Sequence, residues 1–186
     1  MGLFSSRKEP PRDQWMSICG RIANGLSEVR RSWFDACVDL MAAEFAKPGV
    51  GNEFIVVNLE IGGRADQAIR AQQLLICSGK LAGEGYISPR NGRDFADVLF
   101  AAVCGGELGA CMTLFARYSE VEGGTRLFRF CGDVAGYMTE EESPLAQATT
   151  LAPMITPLTV GTCYVVAEAF GDQAEAARLR KKMTEA

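Results

Sequence analysis

Histidine is absent from all 186 residues. Its unperturbed pKa is the one that puts proton transfer near neutral pH, so the absence excludes whole constellations rather than one motif. Ser-His-Asp and Cys-His catalysis, His-containing zinc sites, HExxH metalloproteases and His-ligated haem all need the missing ring. No C-x-x-C pair occurs among the seven cysteines, Cys19, Cys37, Cys77, Cys104, Cys111, Cys131 and Cys163. Odd in number and widely dispersed, they fit neither a disulfide framework nor a zinc ribbon. Neither a metal nor a cofactor is expected.

Positive charge is outnumbered, with 19 Lys and Arg against 23 Asp and Glu. The net charge of −4 argues against nucleic acid as a partner, because binding to phosphates depends on a basic face that releases counterions. Basic clusters occur only near the ends, at Arg7, Lys8 and Arg12 and again at Arg178, Arg180, Lys181 and Lys182. Arg30-Arg31 stands beside Trp33-Phe34, and in an acidic chain the simpler account has Trp33 in the core and both arginines solvated or paired along their helix with Glu28 and Asp35. The first residues, MGLFSSRKEPPR, lack the apolar run of a secretory signal and suit a disordered tail over residues 1–12. Gly2 and Ser6 fit the myristoylation pattern, which keeps a peripheral membrane protein anchored through Gly2 as an alternative.

What is present suits one globular unit. Hydrophobic residues make up 48% and charged residues 23% of the chain, and a chain of this length can bury roughly 70% of its unfolded surface, so residues 13–186 are read as a single domain. Most cysteines have aliphatic or aromatic neighbours, as in Leu75-Ile76-Cys77 and Phe130-Cys131, where a free thiol behaves as a small hydrophobe. Reduced thiols imply a cytoplasmic location.

Helical periodicity dominates. Trp15, Cys19, Ile22, Leu26, Val29, Trp33, Ala36, Leu40 and Ala43 alternate spacings of four and three between Asp13, a plausible N-cap, and Lys47-Pro48-Gly49. They form one stripe on a single helix, or on two helices broken near Asn24-Gly25. Further helices are expected from Arg64 to Ala82, from an Asp94 cap through Val103, and from Leu108 to Tyr118. The linker GEGYISPRNGRD reads as a flexible connection. Phe54 to Ile61 and Thr125 to Cys131 can each be strand or helix. Thr139 to Glu142 has capping-box spacing, Ser143-Pro144 and Thr156-Pro157 read as helix starts, and Gly171 with Asp172 separates the last two helices. The expected fold class is mainly α, a compact domain of about seven helices with room for one short strand or hairpin. Ser143 to Ala167 carries no charge, yet its three prolines and five threonines make it a poor membrane span.

Candidate chemistry is thin. Gly105-Gly106-Glu107-Leu108-Gly109 has the wrong spacing for a phosphate loop, and close helix packing is the better account of its glycines. Glu107 and Glu168, in weakly charged surroundings, are candidate acid/base carboxylates, and Cys104 and Cys111 flank the glycine break as candidate nucleophiles without an identifiable base. These residues define a helical small-ligand binder or enzyme as the runner-up. The leading expectation is an acidic cytoplasmic module acting through protein–protein contacts or self-association, as an adaptor, chaperone-like or inhibitor protein. Its partner surface is expected on the apolar helices, through Trp33, Val160, Tyr164, Val165 and Phe170.

Overall fold

The computed structural model describes residues 9–46, 59–139 and 145–185, in which eight α-helices and three 3-10 turns form a mainly α domain. The helices are α1 (Trp15–Phe45), α2 (Arg64–Glu84), α3 (Gly92–Cys104), α4 (Leu108–Ser119), α5 (Gly123–Thr139), α6 (Leu145–Leu151), α7 (Ile155–Ala169) and α8 (Gln173–Glu185). The 31 residues of α1 extend roughly 46 Å at 1.5 Å per residue, and this long rod organises the rest. It packs on α3 and α7, while α2 lies against α4, α5 and α7.

α1 runs unbroken through Asn24-Gly25, so the two-helix alternative falls. The buried stripe also departs from the sequence expectation in its second half. Trp15, Cys19, Ile22 and Leu26 face the core as expected, but it continues through Arg30, Phe34, Cys37 and Met41, and Ala36 and Ala43 are exposed. Spacings of four and three follow a 3.5-residue repeat, and a straight helix of 3.6 residues per turn drifts from it by ~20° per heptad. Over four heptads the two faces part.

Thr125 to Cys131 lies inside α5, not in a strand. Phe130, Cys131, Val134, Ala135 and Met138 are fully buried at helical spacing, and that longer periodicity outweighs the local alternation. Residues 54–58 of the other candidate strand lie outside the described residues, and Ile61 is an exposed turn residue. Asp13 sits within a 3-10 turn, Arg12–Gln14, and makes no capping bond. Asp94 does not cap α3 either: the helix starts at Gly92, and Asp94 in its first turn instead accepts from Arg12 Nη2 at 2.6 Å. α7 begins at Ile155 after a 3-10 turn, Ala152–Met154, with no side-chain cap from Thr156. The capping box and Ser143-Pro144 fall on residues 140–144, outside the described residues. Asp172 does cap α8, accepting from the Glu175 backbone N–H at 3.2 Å after Gly171 turns the chain at φ 69°.

The linker between α2 and α3 is anchored rather than loose. Tyr86 and Ile87 are buried, the Tyr86 hydroxyl donates to Asp172 at 2.7 Å, and its ring stacks on Phe170 at 4.7 Å. The chain entering α1 is held as well: Trp15 Nε1 donates to the Pro10 carbonyl at 3.1 Å and Asn91 Nδ2 to Glu9 at 3.0 Å. Glu9 and Pro10, within the span expected as a tail, therefore contact the domain.

The core has two lobes. One gathers Trp15, Ile22, Leu26, Leu74, Phe95 and Leu99; the other gathers Trp33, Phe34, Ile69, Tyr118, Phe130 and Leu158. Between them, where α1 passes from Leu26 to Trp33 and α2 from Ile69 to Leu74, sits a buried polar cluster of Arg30, Asp66, Arg70 and Gln73. Six cysteines are buried and Cys163 is half-buried, all as free thiols. Two helical stretches, Gly92–Ser119 and Ala148–Ala169, are long and apolar enough to cross a membrane by length and composition. The first was not singled out in the sequence. In the fold, 3-10 turns interrupt both, at Gly105–Glu107 and Ala152–Met154.

α8 is tied to α2 through Glu175, which accepts from Arg178 Nε and Nη2 at 2.6 Å and from Lys80 Nζ at 2.5 Å. Hydrogen bonds from Arg178, then from Lys80, hold its carboxyl at about 2, below the ordinary 4.5. A depressed carboxyl pKa stabilises the fold fully above pH 4.5 and loses that contribution as pH falls toward about 2. Acid unfolding followed by circular dichroism is expected to show this loss, and Glu175→Gln to flatten the stability slope in the same window. An identical slope in the variant would count against the α2–α8 tie.

Candidate functional site

A concave apolar groove lies between α1 and α7. Its floor depends on two glycines. A Cβ placed on Gly25 would stand 2.8 Å from Val165 Cγ1, and one on Gly161 would stand 3.0 Å from Val29 Cγ1, so the helices cross at a separation only glycine permits. Gly25 is therefore a crossing point, not a break. Ala36, which the helical drift leaves exposed, lines the groove with Trp33 and the half-buried Val29, and α7 supplies Pro157, Tyr164 and Val165. The cleft encloses about 530 Å³, with Met154 and Met183 also in its lining.

Each wall is fixed from behind. Trp33 is 4% exposed, its indole N–H donates to the Met154 carbonyl at 2.5 Å, and its ring lies 5.6 Å from that of Phe130. Val165 is 9% exposed and wedged against Gly25. The rim is polar. Arg180 Nη2 donates to the Tyr164 hydroxyl at 2.5 Å and to Glu168 Oε1 at 3.1 Å, the guanidinium lies 5.4 Å from the Tyr164 ring, and Tyr164 donates to Glu168. Arg21 closes the other side by donating to the Ala169 carbonyl at 2.8 Å.

Of the five residues expected to bind a partner, three meet here: Trp33, Tyr164 and Val165. Val160 points instead toward α8, against the cluster of Ala167, Ala176 and Leu179. Phe170 stacks with Tyr86 and approaches Phe95 at 5.8 Å, in the separate cleft beside Glu9 and Pro10. Gly161, Pro157 and Met183 were not anticipated. Nothing in a local window separates groove glycines from helix-weakening ones; only the α1–α7 crossing does.

The candidate chemical groups do not converge into one site. Cys104 and Cys111 do come together as hydrogen-bonded thiols, but they are 1% and 0% exposed. The Cys111 contact and the nearby Arg70 and Arg30 lower the Cys104 pKa, whereas the Cys111 thiol is pushed up by Cys104 and by burial. Glu107 accepts from Gln67 Nε2 at 2.9 Å and lies beside Gly62, while Glu168 belongs to the groove rim. Among the described residues, nothing lies within 4 Å of where a Cβ would stand on the glycines at 105, 106 and 109, so close packing there does not explain them; Gly105 takes φ 54° and ψ −129°, a conformation suited to glycine. Among the described residues, no group of three or more His, Cys, Asp or Glu side chains is placed to hold a metal ion.

The polar seam between the core lobes is the other concentration of charge. Asp66 Oδ2 accepts from Arg70 Nη2 at 2.7 Å, Arg70 Nε at 2.8 Å and the Gly62 N–H at 2.9 Å, while Oδ1 pairs with Arg30 Nε. Arg70 Nη1 donates to the carbonyls of Val103 and Cys104 at 2.8 and 3.0 Å. Arg30 Nη1 donates to Gln73 Oε1 at 3.2 Å, and Gln73 Nε2 passes the chain on to the Leu26 carbonyl at 3.1 Å. The expectation that Arg30 is solvated or paired with Glu28 or Asp35 is thus corrected: its partner stands on α2, and only Arg31 is exposed. The chain matches no protein-family model, no curated protein and no solved structure.

Proposed function

We propose that this chain is a protein–protein interaction module that takes an apolar helical segment of another protein, or of a second copy, into the α1–α7 groove. The observation that carries the reading is the composition of that groove: an apolar floor built from Val29, Trp33, Ala36 and Pro157, with charge confined to the rim. An amphipathic helix seats its apolar side chains in such a floor and leaves its polar face to the rim. Free thiols with an acidic surface suit a cytoplasmic adaptor, chaperone-like or inhibitor protein. A small apolar ligand is the runner-up, since 530 Å³ falls within the ~300–1,000 Å³ of small-molecule pockets.

Ser32 and Ala36 are exposed and line the groove, so a charge at either position tests binding without entering the core. A photo-crosslinking residue at position 36 should trap the partner or a second copy. Ser32→Glu and Ala36→Glu should weaken that capture at least ~10-fold, because a buried apolar anchor is worth ~1.5–3 kcal/mol, with melting temperature and helix content unchanged. Ala102→Glu, on the exposed face of α3, should leave capture intact. A strictly monomeric protein that traps nothing, or capture lost through Ala102→Glu alone, would overturn the groove reading.

A further inference from the structure

On the opposite side of α1 from the groove, a small pocket is lined by Ser27, Arg30, Arg31 and Asp35 of α1, by Leu59 and Ile61, and by Asp66 and Arg70 of α2. It encloses about 250 Å³, less than the ~300–1,000 Å³ of drug-sized sites. We propose that this pocket is an oxyanion subsite, which takes one small phosphate or carboxylate against the Nη2 edge of Arg30, which has no partner among the described residues, with Arg31 at its mouth.

The argument starts from an imbalance. Two guanidiniums share a single buried carboxylate: Asp66 Oδ2 accepts from Arg70 and from the Gly62 N–H, and Oδ1 stands in an ion pair with Arg30 Nε without accepting a hydrogen bond. The three nitrogens of Arg70 are engaged, by Asp66 and by the Val103 and Cys104 carbonyls. Arg30 differs. Its side chain is only 7% exposed, yet of its three nitrogens only Nε and Nη1 have hydrogen-bond or ion-pair partners among the described residues, which leaves Nη2 without one. A buried, incompletely paired guanidinium is costly, and burial accordingly lowers the proton affinity of Arg30 even with Asp66 beside it.

The charges facing the pocket are three cations, Arg30, Arg31 and Arg70, against two anions, Asp35 and Asp66. One negative charge completes the set. The planar donor edge of a guanidinium matches the paired oxygens of a carboxylate or phosphate, and the half-buried Ser27 hydroxyl is a further donor at the same opening. The volume admits one such group with a few waters.

The test is the melting temperature and direct calorimetric titration of the full chain with inorganic phosphate and with acetate, each against chloride at equal ionic strength. Phosphate or acetate should raise the melting temperature saturably where chloride does not, and which of the two does so identifies the preferred oxyanion. Arg31→Ala should weaken the titrated affinity several-fold, and Asp35→Asn, which removes the opposing carboxylate, should tighten it several-fold. Both positions are exposed, so neither result depends on the core refolding around a substitution. Arg30→Gln should abolish saturable binding. The proposal is overturned if neither anion exceeds chloride, or if Arg31→Ala and Asp35→Asn leave the affinity unchanged.

Discussion

Asp66→Asn is expected to lower the unfolding free energy by about 3–5 kcal/mol, the usual consequence of removing one partner from a buried ion pair. The effect is large because one carboxylate serves two helices. Its side chain is 1% exposed, and Arg30 and Arg70 on either side are 7% and 10% exposed, so neither arginine regains full hydration when the charge disappears. Asparagine retains one acceptor and adds two donors facing guanidiniums, which supplies no substitute. The melting temperature should fall by roughly 10 °C, given ~2–4 °C per kcal/mol for a chain of this size. Urea unfolding with an unchanged m-value should report the same loss. A change below about 1 kcal/mol would mean that water screens the cluster, as at surface pairs. Replacing all three charges together, Arg30→Met, Asp66→Leu and Arg70→Met, should recover much of the loss, since apolar residues of similar volume often replace a buried ionic triad without penalty.

That cluster also marks the limit of what sequence conveys. Helix boundaries were legible at two local stops: Gly171 with Asp172 defines the α7–α8 turn, and Gly105 the α3–α4 break, within a few residues. The burial of cysteines was legible from their neighbours. The partners of Arg30 stand on α2 at Asp66 and Gln73, and a pairing across that separation leaves no periodic trace beside Arg31. The groove was partly legible for the same reason. Trp33, Tyr164 and Val165 were recognisable as apolar helix residues, and they meet because α1 and α7 cross closely. Val160 and Phe170 were equally apolar but face α8 and Tyr86, a choice set by helix rotation. Accumulated drift along α1 had the opposite consequence at Ala36, turning an expected core position into exposed groove lining.

Gly25 is where sequence propensity and tertiary packing oppose each other most directly. In an isolated helix, alanine is favoured over glycine by ~1 kcal/mol, so Gly25→Ala should stabilise α1 on propensity alone. At the crossing, however, the added methyl would stand 2.8 and 3.0 Å from the two γ-carbons of Val165, the first closer than real side chains approach and the second tighter than most. Valine is stiff at χ1 and buried behind the groove, so the overlap is relieved only by moving a helix. Gly25→Ala is therefore expected to be destabilising, and Gly25→Leu more so, by about 2–3 kcal/mol, the upper part of the range for overpacking. The decisive comparison is with Val165→Ala as background. Removing both γ-carbons clears the space, so Gly25→Ala should change sign there and stabilise by up to ~1 kcal/mol. Thermal unfolding of the four members of that cycle reads the coupling directly. If Gly25→Ala stabilises the parent chain as much as it does the Val165→Ala chain, α1 and α7 do not cross at this glycine, and the groove they form loses its floor.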